Sequence, residues 1–172
     1  EELLEKTKLN KYVLIKREVQ SYNWFLNKEI ENNSDNSYNC KPIYDLIFID
    51  GPKDWTIDGF AFFLSDKLLK INGWIVFDDY MWSDYEKIDQ KVPDYNPNKF
   101  DYDQITKPNI KEVFHKLVMQ HPNYSNFKIT DDTLAWAQKI DGNQKKILSF
   151  ESKASFKYKM IHTLKKILDR KY

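Results

Sequence analysis

Unbroken apolar runs and a helical repeat define the clearest unit of this chain of 172 residues, between positions 44 and 79. An apolar run at 44–49 and a second at 73–77 predict two strands. Between them, apolar side chains recur at helical spacing, and we predict a helix with Thr56 as its N-cap and Asn72-Gly73 as a left-handed C-cap. The predicted apolar face of this helix consists of Ile57, Phe60, Ala61, Leu64, Leu68 and Ile71.

The two strands have no alternation of apolar and polar residues. Such runs are typical of strands that are covered on both faces, as in a parallel sheet. The unit therefore predicts an α/β fold in which a strand, a helix and a parallel strand follow one another. The carboxyl ends of both strands then lie at the same edge of the sheet, which is where open α/β sheets bind their ligands.

The flanking segments have weaker patterns, and each predicts one element. A β-branched and aromatic run at 12–15 indicates a strand, and an Asn- and Ser-rich stretch at 31–42 indicates a loop. The long polar and aromatic excursion at 81–107 has a length typical of functional or mobile segments. We also predict a helix over 19–30, a helix over 109–121 that ends before Pro122, and a hairpin of strands 127–130 and 133–137 that turns at Asp131-Asp132.

The two ends of the chain differ from its centre. Residues 1–8 read as the end of a helix without an initiator methionine, which predicts a chain truncated at its N-terminus. We divide the chain into a domain at 1–140 and a linker with a basic amphipathic helix at 141–172. The apolar stripe predicted over 155–170 would pack on the domain or on a second subunit; a membrane-surface role is the alternative.

Composition narrows the classes of function. The formal net charge is +1, which gives no overall basic footprint for nucleic acid. Cys40 is the only cysteine, so no disulfide forms within the chain, and a reducing, cytoplasmic location is expected. No apolar run approaches the roughly 20 residues that span a bilayer.

Charged residues follow both strands of the central unit. Asp50 and Lys53 come after the first strand, and Asp78 and Asp79 after the second. Carboxylates that converge there would favour Mg²⁺ or Ca²⁺ over zinc. A partly desolvated lysine beside the cation would have a lowered pKa and could accept a proton. The plain alternatives are a turn at 50–52, a solvated strand end and a surface lysine.

Aromatic and imidazole side chains near these strands are open to two interpretations. Four aromatic residues could form the wall of a substrate pocket or could simply pack in the core and loops. His115 and His121 have no acidic partner at ligand spacing, so a structural role is the better interpretation. The four aromatic residues are Trp55, Tyr80, Trp82 and Tyr85.

The strand ending in "IDG", the helix, "INGW", and the strand ending in "FDDYMW" resemble a class I S-adenosylmethionine-dependent methyltransferase. Within that class the chain is most similar to the metal-dependent O-methyltransferases of the catechol and caffeoyl-coenzyme A type and their bacterial natural-product and sugar relatives. The resemblance covers the C-terminal part of that domain. It implies a Rossmann-like, mostly parallel sheet with a C-terminal antiparallel hairpin, and it places the first strands of the fold upstream of residue 1.

The resemblance also implies residue roles. The metal, usually magnesium, would be held by Asp50, Asp78 and Asp79, and Lys53 would be the general base. S-adenosylmethionine would be contacted by Gln20, Ser21 and Asp50. The chain departs from the family because its 4 glycines form no GxG motif, so half of the cofactor site is missing from it.

Three functions follow from these observations. The first is O-methylation of a small hydroxylated acceptor, assisted by a divalent metal and a lysine base. The second is a non-catalytic binding module on a truncated methyltransferase scaffold. The third is a related Rossmann-like enzyme of the cephalosporin-hydroxylase group. The expected partners are a small-molecule acceptor and a second copy of the chain, joined through the C-terminal helix or an open sheet edge. Neither nucleic acid nor a membrane is expected as a partner.

Overall fold

A four-stranded mixed sheet with helices packed on one face forms the centre of the protein. In the computed structural model, residues 6–8, 13, 15–16, 18 and 21–142 are described. The elements are α1 (Tyr22–Asn32), β1 (Tyr44–Ile49), α2 (Trp55–Leu68), β2 (Leu69–Phe77), α3 (Tyr85–Asp89), a 3₁₀ turn (Pro97–Lys99), α4 (Tyr102–Thr106), α5 (Asn109–Val113), a π-helix (Phe114–Val118), β3 (Tyr124–Thr130) and β4 (Leu134–Lys139).

The strand order is β1-β2-β4-β3. β1 and β2 pair in parallel, and the last pair in their register is Ile49 with Phe77. β4 runs antiparallel to both β2 and β3. The predicted parallel unit and the predicted hairpin are therefore confirmed. The hairpin turns at Asp131 and Asp132, which both have a φ of 52°.

Buried side chains of α1, α2 and α5 form one hydrophobic core with buried side chains of the sheet. The core includes Ile75 and Phe77 of β2 together with Ala135 and Ala137 of β4. Burial of such side chains stabilises the fold by about 1.5–3 kcal/mol for each large residue. Helix α2 contacts β1, α1 and α5, so it lies at the centre of this layer of helices.

The end of α2 differs from the prediction. The helix ends at Leu68, and Leu69 already pairs with Tyr44 in the sheet. Asn72 is left-handed, with a φ of 66°, but it lies in a bulge within β2 and is not a helix C-cap. A Cβ on Gly73 would lie 2.9 Å from the carbonyl oxygen of Asp45, so this glycine permits close approach of two strands.

The start and the buried face of α2 also need correction. Asp54 is the N-cap and accepts hydrogen bonds from the backbone of Thr56, the residue predicted for that role. Phe60, predicted to be buried, is 56% exposed. The helix is rotated so that Asp58 and Ser65 take buried positions, which apolar spacing alone does not predict. The buried residues are Asp58, Gly59, Ala61, Phe62, Ser65, Asp66 and Leu68.

Strand β1 is not covered on both faces in the described part of the chain. Leu46 is 55% exposed and Phe48 is 51% exposed. Their register partners are Trp74 and Val76, which lie on the face opposite the core side chains of β2. The prediction of full burial is wrong for this strand because the described helices lie on the other face.

The remaining elements agree with the sequence in kind and differ in their bounds. α1 begins at Tyr22 with Ser21 as its N-cap, not at position 19. The helix predicted over 109–121 changes to a π-helix at Phe114 and ends before Pro122. The excursion at 81–107 contains three short helical segments. Half of the predicted strand at 12–15, namely positions 12 and 14, and all of the helix at 155–170 lie outside the described residues.

Candidate functional site

Three carboxylates meet at the carboxyl ends of β1 and β2. Oxygen atoms of Asp50, Asp78 and Asp79 lie within 4.8 Å of one another. The two strand ends are joined because Asp78 donates its backbone N–H to the carbonyl of Ile49 at 3.0 Å. We call these three residues the carboxylate cluster. The parallel pairing of β1 and β2 brings its members together from two segments of the sequence.

Lys53 forms ion pairs with two members of the carboxylate cluster. Its Nζ lies 2.6 Å from Oδ1 of Asp50 and 2.9 Å from Oδ2 of Asp79. Lys53 has a φ of 61° and Asp79 a φ of 56°. The left-handed conformation is uncommon for residues other than glycine, and strain of this kind concentrates at functional sites. The backbone is therefore held in an unusual conformation on both sides of the ion pairs.

The pKa of Lys53 is raised in this arrangement. Partial burial lowers the pKa, but the hydrogen bonds and negative charges of Asp50 and Asp79 outweigh burial. The lowered pKa predicted for Lys53 is therefore not found in this structure. As it stands, Lys53 is an ammonium group that pairs with two carboxylates and offsets one of their two negative charges.

A buried carboxylate supports the loop that carries Lys53. Asp58 is fully buried, and its Oδ2 accepts the backbone N–H of Asp54 at 2.8 Å. Its Oδ1 accepts a hydrogen bond from the hydroxyl of Tyr22. A Cβ on Gly51 would overlap this carboxylate. Sequence reasoning missed Asp58; the one signal was an acidic residue four positions after an N-cap aspartate.

The residues predicted to contact the cofactor are placed in part. Gln20 lies outside the described residues. The side-chain oxygen of Ser21 accepts the backbone N–H of Asn23 at 3.1 Å and so caps α1. Asp50 belongs to the carboxylate cluster. Ser21 is joined to the loop of Lys53 through its neighbour Tyr22 and Asp58. The cofactor roles of Gln20, Ser21 and Asp50 stay predictions.

The four aromatic residues separate into packing and pocket positions. Tyr80 is buried and packs in the core, and its hydroxyl lies 2.7 Å from Nε2 of the exposed His115. Trp82 contacts the ammonium of Lys87, and Tyr85 is exposed. Trp55 lines a cavity of about 300 Å³ between α2 and the excursion at 81–107, together with Asp54, Asp84, Phe100, Gln104 and Lys116.

A second cavity, of about 480 Å³, lies beside β1. It is mainly apolar and ends at Asp50, with Tyr22, Phe25, Leu26 and Phe48 among its lining residues. Among the described strands, β1 pairs only with β2. The open sheet edge expected from the sequence stays a prediction. Among the described residues, no helix has both the length and the apolar character needed to cross a bilayer.

Comparison with known proteins gives likeness in structure only. No family model matches the sequence, and no curated protein matches it. The structure matches a protein of Klebsiella pneumoniae assigned as an O-methyltransferase, with a TM-score of 0.50 and 16% identity; the match covers 81% of this chain and 55% of that one. Over the matched part, the chain therefore shares the α/β fold of that protein.

Two further solved structures have the same type of name. A Staphylococcus aureus protein assigned as a caffeoyl-CoA O-methyltransferase has a TM-score of 0.49 and 23% identity, with 80% of this chain and 56% of that one covered. An O-methyltransferase of Bacillus cereus, in complex with SAH, has a TM-score of 0.45 and 19% identity, with 79% and 55% covered. The chain spans about half the length of each of these methyltransferase-fold structures.

Proposed function

We propose that this chain is part of an S-adenosylmethionine-dependent O-methyltransferase that uses a divalent cation and a lysine base. One observation supports this proposal above the others. Three carboxylates and a lysine lie together at the ligand-binding edge of a methyltransferase-like sheet. A turn that only reversed the chain would need none of these contacts.

The donor set of the carboxylate cluster fits Mg²⁺. Asp50, Asp78 and Asp79 offer oxygen atoms only, and hard divalent cations prefer such ligands. When bound there, the cation would favour the ionised form of an acceptor hydroxyl. Asp50 is exposed, so ligands can approach the cluster from solvent.

Lys53 is the group that moves the proton in this proposal. It can accept a proton at Nζ only in its neutral form, and its ion pairs with Asp50 and Asp79 oppose that form. Release of Lys53 from the two carboxylates therefore precedes proton transfer. The hydroxyl proton would then pass to Nζ of Lys53. S-adenosylmethionine, when bound, would supply the methyl group that the acceptor oxygen takes from its sulfonium sulfur. Orientation supplies much of the acceleration of such a transfer.

The remaining partners are proposed on less specific grounds. Ser21 and Asp50 would contact the cofactor, with Gln20 beside them. The cavity lined by Trp55 and Phe100 has room for a small hydroxylated acceptor. A second copy of the chain could pair along the free edge of β1. The cytoplasm is the proposed location because Cys40 is a free thiol.

Titration calorimetry with Mg²⁺ tests the cation site. We expect the intact chain to bind Mg²⁺, and Asp78→Ala to weaken the affinity by about tenfold or more, because loss of a ligand costs at least as much as loss of an outer partner. Asp45→Ala is the matched control, since Asp45 is an exposed aspartate that pairs with Lys70 away from the cluster. Equal affinity of the Asp78 variant and the control would contradict the site.

Lys53→Met tests whether the lysine competes with the cation or helps to build its site. This variant removes a competing ammonium from Asp50 and Asp79, so we expect Mg²⁺ affinity to be kept or increased. S-adenosylmethionine is titrated in the same experiment, with and without Mg²⁺. A loss of Mg²⁺ binding in Lys53→Met would show that the lysine builds the site and does not compete for it.

A non-catalytic binding module on the same scaffold is the second candidate. The observation that favours it is the Lys53 ammonium, which already forms ion pairs with both Asp50 and Asp79. For such a module we expect no binding of Mg²⁺ by the intact chain at millimolar concentration. The calorimetric experiment therefore distinguishes the two candidates.

A further inference from the structure

The buried carboxylate of Asp58 lies directly beneath the loop that connects β1 to α2. Both of its oxygens are used: one accepts the N–H of Asp54 and the other the hydroxyl of Tyr22. Asp54 is the residue after Lys53, so this hydrogen bond fixes the peptide that follows the left-handed position. The carboxylate itself contacts neither Asp50 nor Asp79 by hydrogen bond.

Gly51, near the start of the same loop, also lies against Asp58. The α-carbon of Gly51 is so close that an added Cβ would overlap Oδ1 of Asp58 and lie 2.7 Å from the hydroxyl oxygen of Tyr22. Gly51 does not have a positive φ, so a glycine is required here by space and not by backbone conformation. The loop is therefore fixed at two points, Gly51 and Asp54, and Lys53 lies between them.

We propose that Asp58, held by the hydroxyl of Tyr22, is a positioning residue that fixes the 50–54 loop so that Asp50 and Lys53 face Asp79. In this loop conformation, Lys53 reaches Asp79 across the strand ends. The pair also connects the loop to the first turn of α1, where Ser21 lies. A change at Tyr22 or Asp58 therefore acts on the site without touching any of its groups.

A helix-capping role alone would explain part of this geometry, and a second pair in the molecule makes the two roles separable. Tyr124 donates its hydroxyl to Oδ1 of Asp66 at 3.1 Å, near the other end of α2. Both pairs join a tyrosine hydroxyl to a buried aspartate on the same helix. Loss of either hydroxyl should destabilise the fold, but only the loss at Tyr22 should release Lys53.

The accessibility of the Lys53 amine tests the proposal directly. Brief treatment with acetic anhydride, followed by peptide mass spectrometry, gives the acetylation rate of each lysine. We expect the rate at Lys53, relative to the exposed Lys70, to rise about fivefold in Tyr22→Phe and in Asp58→Asn, the change in an equilibrium that loss of one hydrogen bond typically causes. Tyr124→Phe should leave this ratio at the value of the unaltered chain.

A second readout uses Mg²⁺, and only this one rests on the proposed function. Tyr22→Phe should weaken Mg²⁺ binding by about the same factor, whereas Tyr124→Phe should not change it. If the unaltered chain binds no Mg²⁺, the proposed function fails while the acetylation test still decides the role of Asp58. Equal Lys53 acetylation in Tyr22→Phe, Asp58→Asn and Tyr124→Phe would overturn the inference and leave Asp58 a helix cap.

Discussion

The two ends of helix α2 use the same chemistry with different consequences. Each end buries an aspartate that accepts a hydrogen bond from a tyrosine hydroxyl, Asp58 from Tyr22 and Asp66 from Tyr124. At the second end, a buried lysine completes the arrangement: Nζ of Lys139 lies 3.1 Å from Oδ1 of Asp66. No lysine forms an ion pair with Asp58 in the described part of the chain.

The difference separates a structural ion pair from a site. Lys139 is buried and also donates to the backbone carbonyls of Asp66 and Leu69, so its three protons are directed inward. Lys53, at the other end, lies at the strand ends and pairs with two half-exposed or exposed carboxylates. The side chain of Lys139 is 7% exposed, whereas that of Lys53 is 16% exposed and lies beside carboxylates that are 57% and 38% exposed, so solvent reaches the second arrangement more readily.

Removal of the buried lysine should have the largest effect on stability. Lys139→Met leaves the Asp66 carboxylate buried without its charge partner, and breaking such a pair typically costs about 3–5 kcal/mol. Urea unfolding followed by circular dichroism measures this loss. Lys70→Met is the control, because the exposed pair of Lys70 with Asp45 should contribute about 0–1 kcal/mol. Similar losses in both variants would contradict the structural role of Lys139.

An added methyl group at Gly51 should have the next largest effect. Gly51→Ala places a Cβ on Oδ1 of Asp58, and overpacking of this kind costs about 1–3 kcal/mol. The control is Gly59→Ala within α2, where the nearest atom to the new Cβ, 3.1 Å away, belongs to the flexible Leu117 side chain. We expect the free energy of unfolding of that control to change by less than about 1 kcal/mol, since alanine also favours the helix.

The smallest of these effects should be the contribution of Asp58 to the pH dependence of stability. Burial raises the pKa of Asp58 above its ordinary value of 3.8. The folded state therefore holds this proton more tightly than the unfolded chain. The resulting stability is complete below pH 3.8 and is lost as pH rises through the raised pKa.

Asp58→Asn removes this titration. The free energy of unfolding, measured with urea at several pH values from 4 to 7, should decline less with rising pH in the variant than in the unaltered chain. Tyr124→Phe, which leaves Asp58 intact, should keep the original decline. A decline of equal size in Asp58→Asn would show that other groups cause it.

Much of the fold could be predicted from the sequence because it depends on local patterns. The apolar runs of β1 and β2, the helix between them and the hairpin at Asp131-Asp132 all have short-range signals. The bulge at Asn72 could not be predicted, since a left-handed asparagine before a glycine is equally typical of a helix end. Pairing of Leu69 with Tyr44 in the sheet decides between the two, and such pairing is a tertiary property.

The candidate site was predictable where it depends on strand ends. Asp50, Asp78 and Asp79 converge as the parallel unit predicts, and Lys53 joins them. The tie between Tyr22 and Asp58 could not be predicted, because it joins positions 36 residues apart and contradicts the apolar pattern of α2. A buried polar residue is recognised only when its partner is known.

A crystal structure with Mn²⁺ in place of Mg²⁺ tests the central claim most directly, because the anomalous signal of the metal locates it without reference to activity. We expect a metal peak bound by oxygens of Asp50, Asp78 and Asp79, with Nζ of Lys53 moved away from the two carboxylates that it now bridges. No peak in the carboxylate cluster, with Lys53 still paired to Asp50 and Asp79, would contradict it.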